Sequence, residues 1–144
     1  MPSKSRSLIP FLKKLGLKQG QLLYDMGSGD GTVLKHATKT LGLRSIGVEL
    51  NPYLVMFSRL RLLPQRKLTK VIYGDQWKLP IPSDVDVVYA FILPKYMTKL
   101  EKKLKKELQK PTLVVTYSFE LPGHEPVKRS GGFIAYDFQP LAKK

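Results

Sequence analysis

Apolar positions along the chain change their spacing several times, and each change marks a new element. Leu8, Phe11, Leu12 and Leu15 recur at helical spacing, and Gly16 supplies the stop. Gln21–Met26 reads as a buried strand. A glycine-rich turn, Gly27–Gly31, separates it from a helix at Thr32–Leu41, whose Val33, Leu34, Ala37 and Leu41 share one side and which Gly42 ends. Arg44–Leu50 predicts a second strand. Asn51 is then a good N-cap and Pro52 a good first helical residue; Leu54, Val55 and Leu62 give that helix its inward side, and Pro64 closes it.

Lys70–Tyr73 predicts a third strand and Asp86–Leu93 a fourth, apolar almost throughout, as a strand covered on both faces should be. Pro94 opens a helix to Gln109, with Met97, Leu100, Leu104 and Leu108 on one stripe and Lys99, Lys102, Lys103, Lys105 and Lys106 turned elsewhere. Thr112–Phe119 is a fifth strand. Pro126–Arg129 and Phe133–Phe138 read as a hairpin about Ser130-Gly131-Gly132. Strand and helix alternate, then strands pair. The expected fold is α/β: a Rossmann-like, mainly parallel twisted sheet with helices on both faces and an antiparallel C-terminal hairpin.

At 144 residues the chain is expected to be a single domain, residues 1–144, with a basic N-terminal helix region at 1–20 and a core at 21–144. The absence of cysteine excludes a disulfide scaffold, a thiolate metal site and a cysteine nucleophile. With only two histidines, His36 and His124, no metal site is expected. No apolar run approaches the ~20 residues of a membrane span, and Pro10, Lys13 and Lys14 interrupt Leu8–Leu15, so it is not a secretory segment. The expected location is cytoplasmic. Charge adds a second constraint: 25 Lys and Arg against 11 Asp and Glu leave a net +14, which favours an anionic partner such as nucleic acid or an acidic membrane face.

The strongest chemical signal is Asp25-Met26-Gly27-Ser28-Gly29-Asp30-Gly31 between a strand and a helix. Alternate glycines let the backbone turn sharply and lie against a ligand, with the following helix's N–H groups aimed at it. Glu49, ending the second strand, can accept hydrogen bonds from both hydroxyls of a ribose. Asp75 and Trp77, after the third strand, can take an adenine by hydrogen bonding and stacking. A dinucleotide fits less well. Thr32 occupies the place of the third dinucleotide glycine, and Asp30 would oppose a pyrophosphate but suit the cationic groups of S-adenosyl-L-methionine.

Asp25–Gly31 (DMGSGDG), Val48–Pro52 (VELNP), Tyr73–Trp77 (YGDQW) and Asp86–Pro94 together resemble a class I S-adenosylmethionine-dependent methyltransferase, from about Leu22 to near the end of the chain. The E-L-N-P-x-L-V run continuing to Ser58-Arg59, the D-x-W and the F-x-x-P-x-x-M at Phe91–Met97 are similar to one small group. These are the protein-lysine methyltransferases acting on the adenine-nucleotide translocase and the ATP synthase c-subunit, with their prokaryotic relatives. The resemblance implies that Asp25, Gly27, Ser28, Gly29, Asp30 and Gly31 line the methionine end of the cofactor. It implies that Glu49 holds the ribose with Asn51 beside it, that Asp75, Gln76 and Trp77 meet the adenine, and that Phe91–Pro94 border the methyl group. It also implies a protein partner presenting a lysine, one that can sit at a membrane. Eukaryotic members carry a hydrophobic segment ahead of the fold, which this sequence is expected to lack; here Ser3–Lys14 is short and basic, and His124 stands where the group has an aromatic.

Lysine must reach the methyl group uncharged, and burial among aromatics lowers its pKa. Tyr89, Phe91, Tyr96, Tyr117 and Phe119 are candidates for that environment, and Pro94 borders it. Glu120 is a candidate to accept or orient the amine proton, with His124 a weaker one. Lys4, Arg6, Lys13, Lys14 and the helix Lys95–Lys110 are candidates for peripheral contact with an anionic membrane. Two other readings stay open: an RNA methyltransferase, favoured by the charge but lacking an N-P-P-[YF] run after strand four, and a non-catalytic binding or assembly protein that retains the fold.

Overall fold

The computed structural model describes residues 4–140; Met1–Ser3 of the basic leader and the side chains of Lys4 and Ser5 lie outside the described residues. Strand β1, Leu22–Met26, is buried on both faces and sits at the centre of a seven-stranded sheet. β2 (Arg44–Glu49) and β4 (Val87–Ala90) flank it in parallel, β3 (Thr69–Tyr73) extends one side, and β5 (Thr112–Tyr117) extends the other. β7 (Phe133–Phe138) inserts antiparallel beside β5, and β6 (Lys128–Ser130) forms the far edge. The order is therefore β3-β2-β1-β4-β5-β7-β6, a mainly parallel sheet with an antiparallel C-terminal hairpin, as expected.

Because side chains alternate along a strand, β1 serves two cores. Tyr24 and Met26 join the core under helix α4 (Met97–Glu107), with Leu100, Leu104 and Ile134. Leu23 joins the opposite core, where α1 (Lys4–Lys14), α2 (Thr32–Leu41) and α3 (Pro52–Arg61) contribute Leu8, Leu12, Leu34, Ala37 and Val55. The helices begin and end where their punctuation directs. Gly42 ends α2 with a left-handed φ of 68°, and Asn51 Oδ1 caps α3 by accepting from the N–H groups of Tyr53 and Leu54 (2.9 and 3.4 Å).

Four expectations need correction. The fourth strand ends at Ala90, not Leu93, because β1 reaches its last paired residue, Met26, opposite Ala90 and then turns away at Gly27. Phe91–Leu93 thus leave the sheet, and Pro94–Tyr96 form a 3-10 turn before α4. β5 ends at Tyr117, where Ser118 adopts a φ of 68°. In the hairpin, Ser130 pairs with Phe133, so the turn is Gly131-Gly132 alone, both with positive φ as a two-residue turn demands. Lys103 does not face solvent. It is buried, with Nζ 2.7 Å from both Leu79 O and Glu107 Oε2, while Glu107 Oε1 accepts from Ile81 N–H (2.8 Å). A helical stripe cannot reveal that a loop will cover one of its lysines.

Candidate active site

All five parallel strands run toward one edge of the sheet, and the loops leaving β1, β2 and β3 meet there. They enclose a cleft of about 260 Å³ lined by Gly27, Val48, Glu49, Leu50, Gly74, Asp75, Gln76 and Trp77. Glu49 is fixed by backbone. Gly29 N–H donates to its Oε1 (2.8 Å) and Asn51 N–H to its Oε2 (2.9 Å), so one carboxylate ties the glycine turn to the start of α3. A carboxylate offers about four lone-pair directions, and two remain for a ligand. Asp75 Oδ1 accepts from Trp77 N–H (2.8 Å) and shapes the turn that presents the indole. Tyr96 lies 6.0 Å from the indole between ring centroids, and Lys99 Nζ sits 4.7 Å over it.

The glycines of the turn have separate reasons. Gly29 has a φ of 57°, and a Cβ there would meet nothing within 4 Å: the turn is open at that point. Gly31 is closed. A Cβ there would lie 2.9 Å from Ser58 Cβ, so this glycine lets the turn pack against α3. Ser28 descends from the turn into the space left by Gly47, where a Cβ would lie 2.4 Å from Ser28 Cβ. Gly47, a lone glycine inside a strand pattern, was the available signal of this close approach. Asp30 is turned to its neighbours: its Oδ1 accepts from Thr32 N–H and Oγ1 (3.0 and 2.6 Å), and Arg61 lies 3.6 Å from Oδ2. Its slight burial is outweighed by the Thr32 hydrogen bonds and Arg61, which hold its pKa down.

Asp25 lies beneath the turn, buried, with its pKa pushed up to about 7 by burial and by the Glu49 charge. Tyr89, its register partner on β4, is raised by burial first and then by Asp25. Gln76 Oε1 is buried in the cleft with no hydrogen-bond partner among the described residues. An unpartnered buried acceptor, an open glycine and a carboxylate with spare lone pairs are features of a site built for a polar ligand.

Beyond Ala90 the chain presents aromatics. Phe91 is half exposed and lies 5.3 Å from Tyr117, which in turn lies 5.0 Å from Phe133. Phe133 contacts Phe11 of α1 (5.6 Å) and Tyr89 (6.3 Å), and a Cβ on Gly132 would strike the Tyr117 ring at 2.8 Å. Phe119 packs instead into the core under α4. Glu120 does not line the cleft; it is exposed and ion-paired with Arg129 on β6. His124 stacks on Phe138 and lies 3.1 Å from Glu101 Oε2. Phe138 pairs with Thr112 at the start of β5, which places this histidine toward the opposite edge of the sheet.

This strand order, with a glycine turn after β1 and an acid ending β2, defines the class I methyltransferase fold. A solved structure described as an RNA methyltransferase from Salinibacter ruber, in complex with S-adenosyl-L-homocysteine, superposes with a TM-score of 0.85 at 28% identity, covering 100% of this chain and 97% of that one. Residues 25–128 match the ANTKMT methyltransferase domain, and the chain belongs to that family. Among its relatives, the human ATP synthase c-subunit lysine N-methyltransferase is 34% identical over 143 residues, 95% of this chain and 60% of that protein. A protein-lysine N-methyltransferase of Saccharolobus islandicus is 28% identical over 130 residues, 88% of this chain and 80% of that protein. The chain thus spans about three fifths of the human relative's length.

Proposed function

We propose that the chain is an S-adenosylmethionine-dependent methyltransferase whose acceptor is a lysine ε-amino group on a protein. The observation that carries the cofactor part of this reading is the convergence in one cleft of the glycine turn, Glu49 and the Asp75–Trp77 turn, beside exposed aromatics, and the lysine acceptor draws on the protein-lysine methyltransferase relatives. The cofactor supplies a methyl group already activated by a sulfonium. Glu49 holds the ribose hydroxyls, kept in place by the Gly29 and Asn51 N–H groups. Gln76 and Trp77 take the adenine, with Asp75 setting their turn. Gly27 and Gly29 would give the backbone room beside the methionine end, and Asp25, buried next to the turn, would be the acid nearest its ammonium. Ser28, Asp30 and Gly31 hold the shape of the turn rather than the cofactor itself.

Phe91 and Tyr117 border the acceptor, with Pro94 directing the chain away behind them. Their rings desolvate an incoming ammonium and favour its neutral form. Positioning of that amine is the protein's main contribution, since holding reactants in line can supply ~7–11 kcal/mol of a barrier. Glu120 is exposed and paired with Arg129, and we do not assign it as the base.

The test is methyl-label transfer into a lysate treated with RNase or with protease. Label should survive RNase, disappear with protease, and be recovered as methyl-lysine after acid hydrolysis. A second reading, an RNA acceptor, draws on the +14 charge and on the full-length likeness to a protein described as an RNA methyltransferase. Label recovered in nucleotides, with hydrolysed protein free of methyl-lysine, selects it instead.

A further inference from the structure

The outward side of α3 is apolar where a solvated helix is polar. Tyr53 is 82% exposed, Met56 65% and Leu60 62%, and Leu63 continues the stripe beyond the helix. These residues recur at three- and four-residue spacing, so they form one strip. Between α3 and the edge strand β3 runs a groove of about 360 Å³ with Met56, Leu60, Leu63 and the half-exposed Tyr73 on its walls. Arg59 braces it, donating through Nε and Nη2 to Val71 O (3.2 and 2.9 Å). Contiguous exposed apolar surface of this kind marks an interaction site.

Cations dominate the charge around the strip, and the one carboxylate ion-paired with α3, Asp30, is held by Arg61. Between Glu49 and Asp75 the sequence holds five Arg and Lys and no Asp or Glu. Arg66, Lys67 and Lys70 are exposed, and Arg66 and Lys70 line an adjoining hollow that shares Arg59 and Leu63 with the groove. An apolar stripe rimmed by cations is the pattern of a surface that lies in a lipid interface, with side chains in the headgroup–acyl boundary and cations on the phosphates. We infer that the α3–β3 face docks the protein on an anionic lipid surface. A second copy of this chain is a poor occupant, since it brings its own net +14 and the same rim. RNA would use the cations but leave Met56, Leu60 and Leu63 in water. The lysines of α4 lack such a strip, so this face, and not the helix Lys95–Lys110, carries the membrane contact. α3 begins three residues after Glu49, so docking holds the cofactor cleft close to the lipid plane. The inference does not depend on the acceptor, and its test reads binding alone.

The test is co-sedimentation with phosphatidylcholine vesicles, with and without phosphatidylglycerol, in three proteins: wild type, Met56→Ser/Leu60→Ser/Leu63→Ser, and Lys102→Gln/Lys105→Gln/Lys106→Gln. All replaced side chains are exposed, and circular dichroism verifies each fold. Wild type should bind only the anionic vesicles. The serine variant should lose about tenfold or more in partitioning, because transfer of its apolar side chains is lost. The glutamine variant should lose clearly less. Three further single variants, Arg66→Gln, Lys67→Gln and Lys70→Gln, should each weaken binding about fivefold. Equal binding by the serine variant and wild type would overturn the inference, as would an equal loss in the glutamine variant. So would a wild-type dimer that the serine changes convert to monomer, or binding to polyuridylate with none to anionic vesicles.

Discussion

The two edges of the sheet differ in what they leave open to solvent and to a ligand, although each has one buried glutamine oxygen, Gln65 Oε1 and Gln76 Oε1, without a partner among the described residues. At the amino edge, ionisable side chains are matched. Asp86 accepts from Leu22 N–H and from Lys110 Nζ, both at 2.7 Å, and Arg44 reaches Gly20 O and Asp84. Toward the same edge, Lys103, Glu107 and the backbone of Leu79 and Ile81 close a buried network. At the carboxyl edge, Gln76 Oε1 has no partner among the described residues, Asp25 is buried beside a like charge, and Phe91, Leu93 and Leu50 stand in solvent. A polar group left unmatched in a protein interior costs stability. The contrast therefore separates the end that holds the fold from the end kept ready for a ligand, and perturbations at the two ends should diverge.

The largest divergence concerns Asp25. In the folded chain it keeps its proton up to about pH 7, whereas unfolded it releases it near the ordinary value of 3.8. The unfolded state thus binds fewer protons between those values, and stability falls as pH rises through that window, by no more than ~4 kcal/mol from this group. Asp25→Asn removes the effect. Its stability relative to wild type, read from urea midpoints, should rise between pH 4 and pH 8; a constant difference would show that Asp25 titrates normally. At the other end, Lys103→Ala takes the buried ammonium away from Glu107 Oε2 and Leu79 O, leaving Glu107 only the Ile81 N–H, and should cost about 3 kcal/mol of stability. Cofactor affinity should change little. A variant with wild-type stability would mean that water substitutes for the amine.

Glu49→Ala should do the reverse. It removes charge-assisted hydrogen bonds of ~1.5–3 kcal/mol each, so calorimetric affinity for S-adenosylmethionine or its demethylated product should drop ten- to a hundredfold or more. Undiminished affinity in a folded variant would take the ribose away from Glu49. The smallest effect belongs to His124→Ala. Its partner Glu101 is partly exposed, and the pair should contribute less than ~1 kcal/mol. Methyl transfer should continue unchanged; a collapse of turnover would restore His124 as a proton acceptor.

Much of this division was legible in the sequence, for identifiable reasons. α2 and β7 occupy the residues their periodicity and glycines predict, because punctuation by glycine is a local property. Glu49, Asp75 and Trp77 reach one cleft because a parallel sheet sends every strand end to the same edge. What escaped depends on partners distant in sequence. β4 is short because β1 turns away beside it, Lys103 is buried because a loop crosses it, and Gly31 is glycine because of Ser58. In α3, apolar residues surround the helix, so Leu54, Val55 and Leu62 could be assigned inward while Met56 and Leu60 gave no sign of facing out.

The ring contact between Phe11 and Phe133 joins the first helix to the last strand. During synthesis, the glycine turn, Glu49 and the Trp77 turn all leave the ribosome long before β7 does. The cleft can thus take shape early, while α1 waits with an uncovered aromatic and Tyr117 lacks the hairpin that supports it. A chain synthesised only as far as Gly132 holds the cleft residues, Phe91 and Tyr117, but lacks the Phe133 ring against which Tyr117 rests.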